Sequence, residues 1–183
     1  MLLETARLSL RSCFPAHLLI WLEQPERFEE VAGFPVAAGL LEMFTSHDVT
    51  PEWLAALRAS DGPDPWLHGF FLVHRGTRVV IGSAGFKGPP DPTGTVEIAY
   101  GIAPPFEGQG YATEAAAALL AYAFDTPRVE VVRAHTLPTT NGSTRVLAKC
   151  GFEHVDSVVD PDDGPVWRWE RRREVHTTEG HVG

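Results

Sequence analysis

Two short stretches carry residue types and spacings suited to chemistry. From Thr95 to Ile102 the chain alternates, with Val96, Ile98, Tyr100 and Ile102 on one face and Thr95, Glu97, Ala99 and Gly101 on the other. The second face therefore holds a single carboxylate, Glu97, beside two very small residues, which leaves room for another backbone or a thin ligand. A carboxylate so placed either accepts a proton or pairs with a cross-strand cation, for which Lys87 stands ready. The second stretch is Glu107-Gly108-Gln109-Gly110-Tyr111-Ala112, followed by Thr113-Glu114 and an Ala-rich run of high helix propensity. Two glycines at a helix start let a ligand approach the backbone. The unpaired N–H groups of a first helical turn, with the positive end of the helix dipole, suit an anion the size of a pyrophosphate. A helix-entry turn with no ligand carries the same G-x-G.

Other elements must hold these stretches in place. Pro104 and Pro105 have no N–H and keep Ala103 extended, which predicts that ladder pairing stops there and that the strand parts from its neighbour. Upstream, Arg7 to Cys13 reads as a strand, Pro15 to Gln24 as a helix prolonged over 25–31, and Leu40 to Phe44 as an ambiguous apolar run. Thr50 to Ser60 reads as a helix with Thr50 as N-cap and Pro51 at its first position, ended by Asp61-Gly62-Pro63-Asp64-Pro65. His68 to His74 and Val79 to Lys87 form a hairpin around Arg75-Gly76-Thr77-Arg78. Downstream, Val129 to Thr136 reads as a buried strand, Asn141 to Lys149 as a helix closed by Gly151, and Glu153–Val159 with Val166–Arg172 as a last antiparallel pair. The order predicts an α/β fold with one mixed sheet and helices on both faces, a single domain over 1–174 and a loose polar tail over 175–183.

The chain has 183 residues, long enough for a sizeable core, with 44% hydrophobic and 21% charged residues. No apolar run reaches a membrane-spanning length and no signal-like segment opens the chain, which points to the cytoplasm and away from a membrane. Cys13 and Cys150 lie far apart and the eight histidines show no metal-binding spacing, so free thiols and no metal are expected. A net charge of −9 argues against nucleic acid and suits a cationic acceptor. The one basic cluster, Arg171-Arg172-Arg173, reads as a solvated strand end.

Two nucleotide motifs fail on inspection. A dinucleotide fingerprint needs a third glycine where Thr113 stands, and the ribose-binding acid belongs at a strand end, whereas Glu130 begins an apolar run. A P-loop needs Gly-Lys-Ser/Thr, which does not follow the turn.

Three ordered motifs together are more specific. E-I-A-Y-G-I from Glu97, P-P-F-E-G-Q-G-Y-A-T-E-A from Pro104 and T-L-P-T-T-N-G-S-T-R-V-L-A-K-C-G-F from Thr136, preceded by L-L-E-T-A-R-L-S-L-R from Leu2, resemble the GCN5-related N-acetyltransferase (GNAT) superfamily, in its ribosomal-protein alanine N-acetyltransferase-like branch. The likeness is dense over 7–11 and 82–152 and thin over 13–65. It implies the acyl-CoA N-acyltransferase fold, its sheet splayed at the cofactor cleft. It also implies transfer of an acetyl group from acetyl-CoA to a primary amine, a peptide N-terminus or a small amine, by direct attack in a ternary complex without a metal. Glu97 would be the base, directly or through water. The Ile102 N–H would polarise the acetyl carbonyl, and the backbone from Gly101 to Ala103 would pair with the pantetheine amides. Gly108, Gln109, Gly110, Tyr111, Ala112 and Thr113 would hold the pyrophosphate. Asn141 would bond the pantetheine arm and Ser143 would reach the sulfur, although both residues also suit plain N-capping.

Two positions depart from the family pattern. Glu107 stands in the cofactor turn where Gln or Arg is usual, and a carboxylate there repels a pyrophosphate unless it points away. Leu147 stands where many members carry a tyrosine acid, leaving Ser143, Tyr100 or water to protonate the leaving thiolate. The resemblance assigns acceptor recognition to 13–65. Its Trp21, Phe28, Phe34, Phe44 and Trp53 suit core packing or a homodimer contact better than a pocket. A non-catalytic acyl-CoA-binding protein on the same fold is the alternative reading.

Overall fold

Consecutive strand residues point to opposite faces, and Phe70, Phe71, Leu72 and Val73 are all buried, so this strand must be covered on both sides. The structure, a computed structural model, describes residues 1–43, 49–161 and 163–174. It contains one open sheet of β1 (Leu2–Glu4), β2 (Leu8–Ser12), β3 (Phe70–His74), β4 (Val80–Phe86), β5 (Thr95–Ile102), β6 (Val131–Thr136), β7 (Glu153–Asp160) and β8 (Gly164–Arg172), in spatial order 1-2-3-4-5-6-8-7. The described helices are α1 (Pro15–Glu23), α2 (Phe28–Ala32), α3 (Leu40–Met43), α4 (Pro51–Arg58), α5 (Pro65–His68), α6 (Tyr111–Asp125) and α7 (Gly142–Lys149). The sheet is mixed because β5 and β6, linked through α6, run parallel while the other neighbours are antiparallel. None of these helices is long and apolar enough to cross a membrane.

Phe70 and Phe71 show what covers each face. Phe70 meets Tyr122 of α6 with ring centroids 6.0 Å apart, and α7 lies beside α6, its Leu147 fully buried. Phe71 turns the other way, against Trp21 of α1 at 5.3 Å and Phe28 of α2 at 5.1 Å. Trp21 and Phe28 are therefore core residues. Phe34 is only partly buried, with the guanidinium groups of Arg11 and Arg78 over its ring.

Several boundaries differ from the sequence expectation, each for a local reason. Residues 25–31 do not prolong α1, because Pro25 lacks an N–H. A 3-10 turn over Pro25–Arg27 intervenes, and α2 then ends at Gly33 with φ at +74°. The breaker-rich Asp61 to Pro65 segment conceals α5, for which Asp64 is the N-cap, accepting from the Trp66 N–H at 2.8 Å, and Pro65 opens the helix. The first strand expected from the Leu2 to Arg11 resemblance is a pair, β1 and β2, joined through Thr5 to Arg7. The run from Leu40 is helical to Met43; Phe44 and the 175–183 tail lie outside the described residues. Thr50 is the N-cap of α4 as expected, accepting from the Trp53 N–H at 3.1 Å.

Within the arginine cluster Arg172 is the exposed strand end expected, its side chain 75% exposed, whereas Arg171 and Arg173 are half-buried and make defined contacts. Arg173 donates to the carbonyls of Phe124, Thr126 and Val129 at 2.7–2.9 Å and so holds the C-terminal end of α6. Arg171 reaches the Gly151 carbonyl at 3.2 Å, beyond the end of α7.

Phe28 is 1% exposed and touches both Trp21 and Phe71. Phe28→Ala is expected to cost about 3–5 kcal/mol, read as a lower urea midpoint at unchanged slope. A loss under about 1 kcal/mol would show that α2 contributes little to the core.

Candidate functional site

The site begins where the sheet splits. β5 stays paired to β4 as far as Ala103, whose N–H donates to Ile81 at 2.8 Å, so Pro104 and Pro105 end that ladder as expected. Its parallel pairing with β6 is shorter, Thr95 to Val131, Val96 to Val132 and Glu97 to Arg133, and past Ile98 the two strands diverge. The parting thus starts well before the prolines.

Antiparallel alternation fixes where the β5 amides point. The Lys87 N–H donates to the Glu97 carbonyl at 2.9 Å and the Ala103 N–H to Ile81, so the main chain of residues 97, 99, 101 and 103 faces β4. That of Ile98, Tyr100 and Ile102 faces the β6 side, where Ile98 completes the last parallel pair with Arg133 and Tyr100 and Ile102 face the gap. Ile102 thus turns its main chain away from β4 and toward the gap. Gly101 turns its main chain to β4 instead, and Ala103 donates to Ile81 and accepts from the Phe106 N–H at 2.8 Å, so neither has the main-chain groups free that pairing with a pantetheine arm requires.

Glu97 sits at the apex of the fork with its side chain 22% exposed. Its Oε1 lies 3.0 Å from Lys87 Nζ, the anticipated partner, and also 3.0 Å from His135 Nδ1 on β6. Toward the open end of the same face Ala99 is exposed, and Gly101 carries no side chain. Beyond His135, Glu170 is nearly buried among Arg133 at 2.9 Å, Arg172 at 3.3 Å and Arg168 at 3.9 Å. His135 was not singled out from the sequence. The signal lies in the register: the last β5–β6 pair is Glu97 with Arg133, and a period of two from Arg133 reaches His135.

The glycine turn has the conformation that its residues suggested. Gly108 and Gly110 have φ at +70° and +87°, the left-handed region where a side chain is strained. Gly110 is the N-cap of α6 and provides no side-chain cap, and the N–H groups of Gly108 to Thr113 have no acceptor among the described residues. Ala112 and Thr113 belong to the first turn of α6, Glu107 is exposed, and the Gln109 amide folds back to the Pro105 carbonyl at 3.1 Å.

This turn is held from the chain's beginning. The Arg7 guanidinium donates to Glu114 Oε2 at 2.8 Å and to the Gln109 carbonyl at 2.9 Å, and it stacks 4.3 Å from the Tyr111 ring centroid. The Arg7 N–H donates to Glu114 Oε1 at 2.7 Å, and the Thr5 hydroxyl donates to the same oxygen. Partial burial raises the Glu114 pKa, but the Thr5 and Arg7 hydrogen bonds and the Arg7 charge outweigh it, and the net shift is downward.

The head of α7 closes the other side. Asn141 and Thr144 form a capping box, the Asn141 side-chain Oδ1 accepting from the Thr144 N–H at 3.1 Å while the Thr144 hydroxyl accepts from the Asn141 main-chain N–H at 3.0 Å. Ser143 is exposed on the first turn, and the Tyr100 hydroxyl donates to its main-chain carbonyl at 3.4 Å. Burial and the nearby Cys150 push the Tyr100 phenol well up. Leu147 lies in the core and presents nothing to the cleft. Among the described residues no three His, Cys, Asp or Glu side chains gather to hold a metal.

The sequence profile of the acetyltransferase (GNAT) domain family matches residues 7–153. An uncharacterized N-acetyltransferase of Bacillus subtilis, YjdG, is 30% identical over 101 residues, 55% of this chain and 58% of that protein. An FsC-acetyl coenzyme A-N(2)-transacetylase of Aspergillus fumigatus is 34% identical over 73 residues, 40% of this chain and 31% of the relative. The matches thus span just over half of one relative's length and under a third of the other's. In fold, the ribosomal-protein-S5-alanine acetyltransferase of Vibrio fischeri is similar, with a TM-score of 0.63 over 94% of this chain and 96% of its own, at 16% identity.

The Arg7–Glu114 clamp has a pH signature. A carboxyl whose folded pKa is depressed stabilises the fold above its unfolded value, and that contribution disappears as pH falls through the folded value. Glu114→Gln is therefore expected to be less stable than the parent at neutral pH, with the gap in urea midpoint closing below ~pH 4. A gap that persists unchanged to ~pH 2.5 would show that the carboxylate charge plays no part.

Proposed function

The chain belongs to the GNAT acetyltransferase family, and from that premise we propose that it is an acetyl-CoA-dependent N-acetyltransferase acting on a primary amine. The observation that supports this best is the fork between β5 and β6 with the heads of two helices beyond its open end. α6 follows the carboxyl end of β5 and α7 that of β6, the position at which α/β sheets bind ligands. The donor-rich, uncapped turn from Gly108 to Thr113 fits a pyrophosphate, and Glu107, exposed beside it, can turn to solvent.

In this reading the pantetheine arm lies along β5 in the gap, where Tyr100 and Ile102 offer main-chain groups, and the Ile102 N–H polarises the thioester carbonyl. Gly101 and Ala103 line the path without donating. Asn141 spends its side-chain Oδ1 on the α7 cap, which leaves its side-chain Nδ2–H groups for the arm, so capping and binding coexist. Ser143 offers a hydroxyl to the departing sulfur. Glu97, at the apex, provides the negative charge that draws the proton from the amine, directly or through an intervening group. The amine then attacks the thioester in one ternary complex. Acceptor recognition falls to the α1–α4 side, and an alanine-initiated peptide, a polyamine and an aminoglycoside are the acceptors to try first.

Thermal unfolding in acetyl-CoA, CoA, NADH or ATP tests the donor site, because a ligand at a hundred times its Kd adds about 2.7 kcal/mol. A shift with acetyl-CoA and CoA alone is expected; a shift with NADH or ATP alone would end this reading. Glu97→Gln is then expected to keep the acetyl-CoA shift and to lower turnover by about 10²–10⁴-fold. If turnover with these acceptors is absent in the parent while the shift is present, an acyl-CoA-binding protein without catalysis is the better description.

A further inference from the structure

Glu97 does not face the acceptor side alone. Lys87 Nζ and His135 Nδ1 both approach the same oxygen, Oε1, at 3.0 Å, so its lone pairs are engaged before a substrate arrives. His135 belongs to the other limb of the fork, two residues past the last β5–β6 pair, and is 18% exposed. An imidazole that donates Nδ1–H to a carboxylate is held in the tautomer whose Nε2 carries the lone pair. Nε2 has no hydrogen-bond partner among the described residues. The charged groups around the ring are Glu97 on β5, Lys87 just past β4, Arg133 on its own strand, and Arg168 and Glu170 on β8, where Arg168 is its direct cross-strand partner. An unperturbed imidazole titrates near ~6.5 and can take up and release protons near neutrality, which a carboxylate does only after a large upward shift.

We propose that His135 Nε2 takes the proton from the acceptor amine, while Glu97 orients the ring and balances the charge that forms on it. The proposal rests on the acetyltransferase reading above. An N–H bond of the acceptor ammonium breaks and its proton forms an N–H bond at Nε2. The freed nitrogen lone pair makes the C–N bond to the acetyl carbonyl carbon, and the C–S electron pair leaves with sulfur. The surplus proton on the new amide passes to the thiolate to give the CoA thiol, and His135 returns its proton to solvent.

The first test needs no acceptor. Nitrogen-15 NMR of the imidazoles, with His135 assigned from its loss in His135→Gln, is expected to show Nδ1 protonated and Nε2 bare in the parent at ~pH 8, and to lose that preference in Glu97→Gln. A proton on Nε2 in the parent would overturn the proposal. The second test follows thiol release against pH with the three acceptors. His135→Gln is expected to lower kcat by about 10²–10⁴-fold, with KM for acetyl-CoA and the acetyl-CoA thermal shift nearly unchanged, and to lose the acid limb of the parent's profile. In Glu97→Gln the limb is expected to move but remain. Activity of His135→Gln within about threefold of the parent, or an acid limb that survives there and vanishes in Glu97→Gln, would overturn it in favour of direct transfer to Glu97. A parent protein that shows no acetyl-CoA shift would sink the acetyltransferase reading instead, and the tautomer result would then stand by itself.

Discussion

The structure depends on one unmet requirement inside its sheet. Past Ile98, which still completes the last parallel pair with Arg133, β5 gives up β6 as a partner, and the main-chain groups of Tyr100 and Ile102 face a gap in the middle of a sheet. An unpaired buried backbone group costs on the order of 1–3 kcal/mol, so a split of this kind persists only where its surroundings hold it open. Each limb is fastened on its outer side. β5 is paired to β4 through Ala103, and β6 is paired to β8 from Val131 to Thr136. Across the gap, side chains take over from amides. His135 meets Glu97 on one face of the sheet, and Tyr100 meets the head of α7 on the other. A ligand with amides of its own can satisfy the open edge without moving either limb.

The same economy governs α6. Arginines hold both of its ends: Arg173 takes the free carbonyls at the C-terminal end, where a cation also suits the dipole. At the N-terminal end Arg7 is on the unfavourable side of the dipole, and Glu114 offsets it while the guanidinium grips the Gln109 carbonyl. Side chains thus fasten the turn through its carbonyl and its acid, and its N–H groups stay free. A conventional Ser or Asp cap would have consumed one of those donors.

What could be read in the chain beforehand was what is local. The strand from Thr95, the glycine turn and the helices with Thr50 and Asn141 caps follow from period, φ requirements and capping chemistry within a few residues. What escaped was set by distant partners. The point at which β5 leaves β6 and the approach of His135 to Glu97 depend on a parallel register across a helical crossover, which neither strand specifies alone. Arg7 looked like any polar residue of a short strand, since its partners lie in the turn and in α6. α5 was missed because the Asp-Pro that ends one helix also begins another, and β1 because three residues are too few to show a period.

The tie between Arg7 and Glu114 spans 107 residues of sequence. On a ribosome, β1 and β2 emerge early, yet the carboxylate that engages Thr5 and Arg7 is made only after β3, β4 and β5 have followed. Long-range closure of this kind is entropically expensive and slow, so the glycine turn is expected to assemble in the late, cooperative part of folding. A nascent or partly unfolded chain therefore lacks an assembled turn, and its row of free N–H groups is set in place only when Thr5 and Arg7 dock against Glu114.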